Sequence, residues 1–322
     1  MVPGRVPLSL LYGASMRLSK RRLSQLFFTL LANANVWALW EKALFRGWPK
    51  GLCFPGLNCY SCPLALFACP LGSLQQALAG LRLLGSQALY ALVYVVGFLF
   101  LYGFWLGRLV CGWVCPFGLI QELFYRIPGP KGQLPKPTRY VKYVLLFLLV
   151  LFLPLWLKGP SGYGEVWFCR LVCPAGTLEA GLFNLALRPE LRTLVHFFFY
   201  WKVLLLGVIL VLCVFFFRFF CVVLCPLGAI YGLFNRFGFF RLSWRGKDCL
   251  DCGLCRQICP LHLKIPEEIN GCECIRCLNC LKVCPPRVIE LNFSLTPKGP
   301  IDSGQTSAKS GVCAKTGGPR TK

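Results

Sequence analysis

The sequence predicts a membrane-embedded α-helical protein, a four-span bundle made of two internal repeats, followed by a small C-terminal α+β unit. Three observations carry this. First, the 322 residues are 56% hydrophobic and 15% charged, with a mean hydropathy of +0.61, whereas a soluble globular chain carries about 25% charge. Second, long apolar runs recur, and similar cysteine-bearing segments follow alternate runs. Third, the 21 Cys, against 2 Met and 2 His, exceed any packing use and belong to disulfides or to metal.

The spans come in order. A helix needs roughly 20 apolar residues to cross the hydrocarbon core. Leu26 to Trp40 is the first candidate, interrupted by Asn33 and Asn35, and Ala88 to Gly107 is an uncharged second span closed by Arg108. Tyr143 to Leu157 and Val203 to Phe217 are shorter, but Lys142, Lys158, Lys202 and Arg218 bracket them, and such long side chains can snorkel to the interface. Ahead of the first run stand Arg17, Lys20, Arg21 and Arg22. The unbroken core Leu26 to Leu31 is too short for a cleaved signal peptide, so this segment reads as an uncleaved anchor. Four spans place both termini on one side, with 26 basic residues there against 9 on the other. The positive-inside rule makes that side cytoplasmic, in a multi-pass protein of the cell (inner) membrane.

The domains follow from composition: a basic N-terminus over 1–25, the membrane domain over 26–240, a cysteine-rich soluble unit over 241–292 and a Gly-, Pro-, Ser- and Lys-rich tail over 293–322 that reads as disordered. In the third, Cys249-x2-Cys252-x2-Cys255-x3-Cys259-Pro260 is followed by Cys274-x2-Cys277-x2-Cys280-x3-Cys284-Pro285. This is the spacing of bacterial ferredoxins with two 4Fe-4S clusters, in which the fourth Cys of each run reaches the other cluster. Cys249, Cys252, Cys255 and Cys284 are expected at one cluster, and Cys274, Cys277, Cys280 and Cys259 at the other. Zinc sites and disulfides fit the doubled pattern poorly.

The membrane domain carries a second pattern. Cys111-Gly-Trp-Val-Cys115-Pro-Phe-Gly follows the second span and Cys221-Val-Val-Leu-Cys225-Pro-Leu-Gly the fourth. Two Cys four apart share a helix face, and the Pro and Gly after them break the helix. Four thiolates from two helix ends can then converge on one cluster. On the opposite side Cys69-Pro-Leu-Gly resembles Cys173-Pro-Ala-Gly, with Cys62 and Cys169 upstream. The chain is thus an internal duplication, and Cys62, Cys69, Cys169 and Cys173 would hold an outer cluster at the repeat interface. Cys53 and Cys59 leave alternatives open: a site of Cys53, Cys59, Cys62 and Cys69, or an oxidised Cys53–Cys59 pair. One or two further 4Fe-4S clusters are expected here, one near each membrane surface.

The motifs CGWVCPFG and CVVLCPLG, the segment CFPGLNCYSCPLALFACPLG and the terminal ferredoxin run resemble the NapH/NosR-type membrane polyferredoxins, over roughly residues 20 to 290. The resemblance implies four membrane helices, a cytoplasmic ferredoxin domain and electron passage between the quinone pool or cytosolic donors and a redox partner. It implies an electron-transfer component of a quinol dehydrogenase rather than a stand-alone enzyme. With only about 46 residues between the first two spans, the large flavin-bearing domain of the NosR branch has no counterpart there.

Other residues carry less. His196 reads as an interface residue and His262 as surface. Glu122, Glu165 and Glu179 are the acids near the membrane motifs, and Glu179 is the candidate proton acceptor for a quinol site. Cys213, Cys272 and Cys313 are expected to be unliganded. No phosphate loop, Ser-His-Asp set or dinucleotide fingerprint occurs, and the scattered basic charge does not form a nucleic-acid patch. The expected partners are the bilayer, a quinone or quinol, and a membrane or extracytoplasmic redox protein. A redox-sensing regulator, or a maturation or metal-reduction factor, would use the same clusters.

Overall fold

A computed structural model describes residues 19–157, 159, 162–245, 249–284 and 288–293. Arg5, Arg17, Lys158, Pro285, Cys313 and the expected tail from 294 onward lie outside the described residues. Within them, three helices are long and apolar enough to cross a membrane: Ser86–Trp105, Lys136–Trp156 and Phe197–Phe215. They match the second, third and fourth expected spans. The third contains Pro154, which has no N–H to give to the preceding turn, and the turns before it, Leu146–Phe152, widen to π-helix.

The first expected span differs. The helix runs Lys20–Ala32, 13 residues, and stops at Asn33. The chain then turns and makes one further helical turn at Ala38–Glu41. Asn33 ends the helix because its amide binds Asn58 at 3.0 Å and the Thr29 carbonyl at 3.1 Å, the local competition that makes Asn a poor interior helix residue. Near its start Arg21 binds Glu122, and near its end Ala32 accepts the Leu66 N–H. Those two levels are therefore separated by about 17 Å of helix.

Around the inner motifs the two halves correspond element for element. Short helices Leu109–Trp113 and Phe219–Val223 carry the first Cys of each pair, and nine-residue helices Pro116–Phe124 and Pro226–Phe234 follow the second. On the other side Pro70–Leu84 follows Cys69 and Gly176–Leu182 follows Cys173. One continuous core contains Cys53, Cys69, Cys111, Cys115, Cys173, Cys221 and Cys225 together with the fully buried Tyr231.

The C-terminal unit is an antiparallel strand pair, Phe240–Trp244 with Ile289–Phe293, paired Phe240 to Phe293 through Trp244 to Ile289. Two short helices, Leu254–Gln257 and Asn279–Val283, pack on each other between them. The unit is docked, not tethered. Arg276 donates to the carbonyls of Leu106 and Asn235, Asn235 to those of Gly271 and Cys274, and Trp113 to that of Arg276.

Candidate iron–sulfur sites

All four Cys-Pro-x-Gly motifs are built alike. The Cys caps a helix, the Pro is its first residue, and the Gly N–H points back at the Cys sulfur: Gly72 to Cys69, Gly118 to Cys115, Gly176 to Cys173 at 3.4 Å and Gly228 to Cys225 at 3.4 Å. In the inner pairs the helix carrying the first Cys ends at Trp113 or Val223, the expected break, and the Pro opens the next helix, the position at which its missing N–H costs nothing. Each sulfur faces a helix N-terminus, which favours the thiolate.

Cys111, Cys115, Cys221 and Cys225 come together as the inner quartet, all buried and close enough to repel one another as thiolates. Two arginines, each three residues before the first Cys of its pair, cross between the halves. Arg108 donates to the Cys221 carbonyl at 3.0 Å, and Arg218 to the Cys111 carbonyl. The crossing explains the glycines: a side chain at Gly118 would meet the Cys111 oxygen at 3.0 Å and Arg218 at 3.3 Å, and one at Gly228 would meet the Cys221 oxygen at 3.0 Å and Arg108 at 3.3 Å. Both arginines are 0% exposed. Arg218 is paired with Glu122 at 2.6 Å, which Arg21 also binds at 2.6 Å, while Arg108 and Lys142 share Glu273. Burial alone would raise the Glu122 carboxyl, but Arg218 and Arg21 hold it below its ordinary value. Arg218 and Lys142, expected to snorkel, are instead fully buried ion-pair partners. Arg218 also stands at φ +53°, a conformation that a non-glycine residue holds only where its surroundings fix it.

The outer quartet differs from expectation in one member. Cys59 stands with Cys69, Cys169 and Cys173, while Cys62 faces Glu179 and Lys50. A side chain at Gly176 would sit 3.7 Å from Cys173 Sγ and 3.8 Å from Cys59 Sγ. Cys53 bonds through its N–H to Tyr94 Oη at 3.2 Å, and both Cys53 and Cys59 are free thiols, so the oxidised pair is absent. Burial pushes Cys69 up to about 12, with Cys173 adding to it. Glu179 accepts the Cys59 N–H, and burial raises its carboxyl to about 8. The two quartets adjoin: the Leu57 N–H points to Cys115 sulfur and Cys59 belongs to the outer set. Two residues of chain span at most about 7 Å.

In the C-terminal unit Cys259, Cys274, Cys277 and Cys280 line one small cavity with Leu242, Ile265 and Arg276. The fourth Cys of the first run thus joins the second run. Cys249, Cys252 and Cys255 lie close together. Asp251 and Gly253 flank Cys252, and Arg276 and Leu278 flank Cys277, all four at positive φ. Such turns make concave nests of N–H groups of the kind that hold iron–sulfur clusters. Against the inner quartet this unit approaches to backbone contact: a side chain at Gly112 would sit 2.5 Å from the Ile275 carbonyl oxygen, beside Cys274.

Among the described residues no three His, Cys, Asp or Glu side chains close tightly enough to hold a metal ion; a four-iron cluster keeps its thiolates at separate corners. His196 and His262 are exposed, and Glu165 pairs with Arg170. Cys213 is buried with its thiol 3.7 Å from Gln121 Oε1, and Cys272 is disulfide-bonded, which removes it as a ligand. Arg108, Arg218, Gln75 and Gln121 were not singled out from sequence as site residues. The repeat of Arg at three before Cys and of Gln at six after it was the available signal.

A family model described as a 4Fe-4S binding domain matches residues 67–85, 87–135 and 198–246. An uncharacterized protein of Methanocaldococcus jannaschii is 30% identical over 225 residues, 66% of this chain and 73% of that protein. The putative electron transport protein YccM of Escherichia coli is 25% identical over 59% of this chain and 52% of its own length. The regulatory protein NosR of Stutzerimonas stutzeri is 28% identical over 53% of this chain, which is 22% of that protein. No solved structure matches. With the paired Cys-Pro-x-Gly motifs, these likenesses show that the chain belongs to the NapH/NosR-type membrane polyferredoxins, ferredoxin-type proteins with a 4Fe-4S binding domain.

Proposed function

We propose that the chain is a membrane electron relay with four 4Fe-4S sites in series: Cys249, Cys252, Cys255 and Cys284; then Cys259, Cys274, Cys277 and Cys280; then the inner quartet; then Cys59, Cys69, Cys169 and Cys173. When bound, each cluster supplies a one-electron carrier. The observation that carries this reading is the adjacency of the second ferredoxin run, the inner quartet and the outer quartet, through Ile275 on Gly112 and through the segment 57–59. The residues fit the group. Buried thiolates repel one another, and two buried guanidiniums beside the inner quartet offset that charge. Loading iron would release the thiol protons that burial holds in place.

The ferredoxin sites face the cytoplasm in this reading, with both termini on that side, and an isoprenoid quinone is the membrane-side partner. An apolar groove lined by Leu145, Leu171, Val172, Phe197, Trp201 and Leu224 supports the quinone, since Val172 and Leu224 directly precede Cys173 and Cys225. Glu179, beside Cys59, would take the proton a quinol gives up. The relay passes electrons on to a redox protein.

The test is iron and acid-labile sulfide per chain on anaerobically purified protein, beside Cys111→Ala/Cys221→Ala. About sixteen irons are expected, falling by about four in the double variant. About eight, unchanged by the substitutions, would confine the clusters to the C-terminal unit and end the relay.

A further inference from the structure

Gln75 and Gln121 occupy the same place in two motifs, six residues after Cys69 and Cys115, and both are 0% exposed. Each reaches the opposite half of the chain. Gln75 Nε2 donates to Cys169 Sγ at 3.2 Å, and Gln121 Nε2 donates to Cys221 Sγ at 2.9 Å. The amide orientations are fixed from the other side. Gln75 Oε1 accepts the Phe168 N–H at 3.0 Å, and Gln121 Oε1 accepts the Cys221 N–H at 3.3 Å and faces the Cys213 thiol at 3.7 Å. A backbone N–H can only donate, so in each case the NH2 end must point at sulfur.

We propose that Gln75 and Gln121 are a matched pair of positioning residues whose N–H···S bonds set the reduction potentials of the outer and inner membrane clusters separately. This rests on the cluster reading above. Reduction adds negative charge to the cluster and its sulfurs, so a donor aimed at a ligating sulfur binds the reduced form better and raises the potential. At the equivalent positions of the second half stand Glu179, which accepts, and Tyr231, which donates to the Pro55 carbonyl at 2.9 Å. The sulfur donors therefore come from the first half and their acceptors from the second.

The experiment is an EPR-monitored redox titration of the full chain and of Gln121→Met, Gln121→Glu and Gln75→Met, with iron counted in each. The signal lost in Cys111→Ala/Cys221→Ala identifies the inner cluster. Gln121→Met should keep its iron and shift the reduced-to-oxidised ratio of the inner cluster about tenfold toward oxidised at fixed ambient potential, about 59 mV for one electron. Gln121→Glu, which keeps the acceptor for the Cys221 N–H but faces sulfur with oxygen, should shift it further. Gln75→Met should move only the outer cluster. Unchanged potentials with full iron would overturn the proposal, as would iron loss in both Met variants, which would assign the side chains to site assembly. About eight irons in the parent would overturn the cluster reading, and the proposal with it.

Discussion

The inner and outer quartets are built from the same Cys-Pro-x-Gly motif and are stabilised differently. The inner one is symmetric, with a pair of cysteines from each half, an arginine from each half crossing to the other, and a glutamate beneath each arginine. In the outer one the second half gives Cys169 and Cys173 from a helix and a helix cap, whereas the first half gives Cys69 and a loop residue, Cys59. The nearby cations there are Lys202, beside Cys173, and Lys50, beside Cys59. A duplicated motif therefore fixes where the sulfurs sit, and the surroundings decide how much charge each site tolerates.

The largest effect separates the two sets by ligand. Cys59→Ala is expected to remove about four irons and Cys62→Ala none; the reverse result in an iron assay would restore the set read from sequence. Next comes charge. Arg218→Leu leaves Glu122 with Arg21 alone and should destabilise the protein by about 3–5 kcal/mol, the range for breaking a buried ion pair. It should remove inner-site iron first, while Lys202→Leu should act on the outer site only. Equal loss from both sites, read by EPR, would erase the contrast. A smaller effect tests the contact to the C-terminal unit: Gly112→Val drives a side chain into Ile275 O, costs about 1–3 kcal/mol as overpacking does, and should slow reduction of the inner cluster by the ferredoxin sites in stopped-flow. Smallest is Arg245→Ala. Its partner Glu290 and Arg245 itself are about half exposed, so the melting temperature should move by no more than about 0.5 kcal/mol implies.

Much of this was legible in the sequence. Spacing pointed to the four thiols that the fold brings together as the inner quartet, and to Cys259 beside the second ferredoxin run. The outer set was not legible. Residues 53–69 follow no helical or strand period, and only the folded loop shows Cys59 turned toward Cys173. The arginines were hidden by their position. At the end of an apolar run a basic residue reads as a membrane-interface marker, and nothing local distinguishes one that bends inward to a carbonyl 113 residues away. The first helix is shorter than expected for a related reason: Asn33 and Asn35 looked like interruptions of a helix, and Asn33 is its end.

The reciprocal arginine crossings have a consequence for biosynthesis. Arg218 reaches a carbonyl 107 residues earlier in the chain, and a ribosome adding about 5–20 residues per second takes roughly 5–20 s to cover that distance. During this interval Glu122 has only Arg21, the Cys111–Cys115 pair has half a site, and no order of events within the first half can complete it. On the relay reading proposed above, synthesis of the second half is thus the step that would license metal loading of the inner quartet, and a chain stalled before residue 218 would leave Cys111 and Cys115 without their two partners.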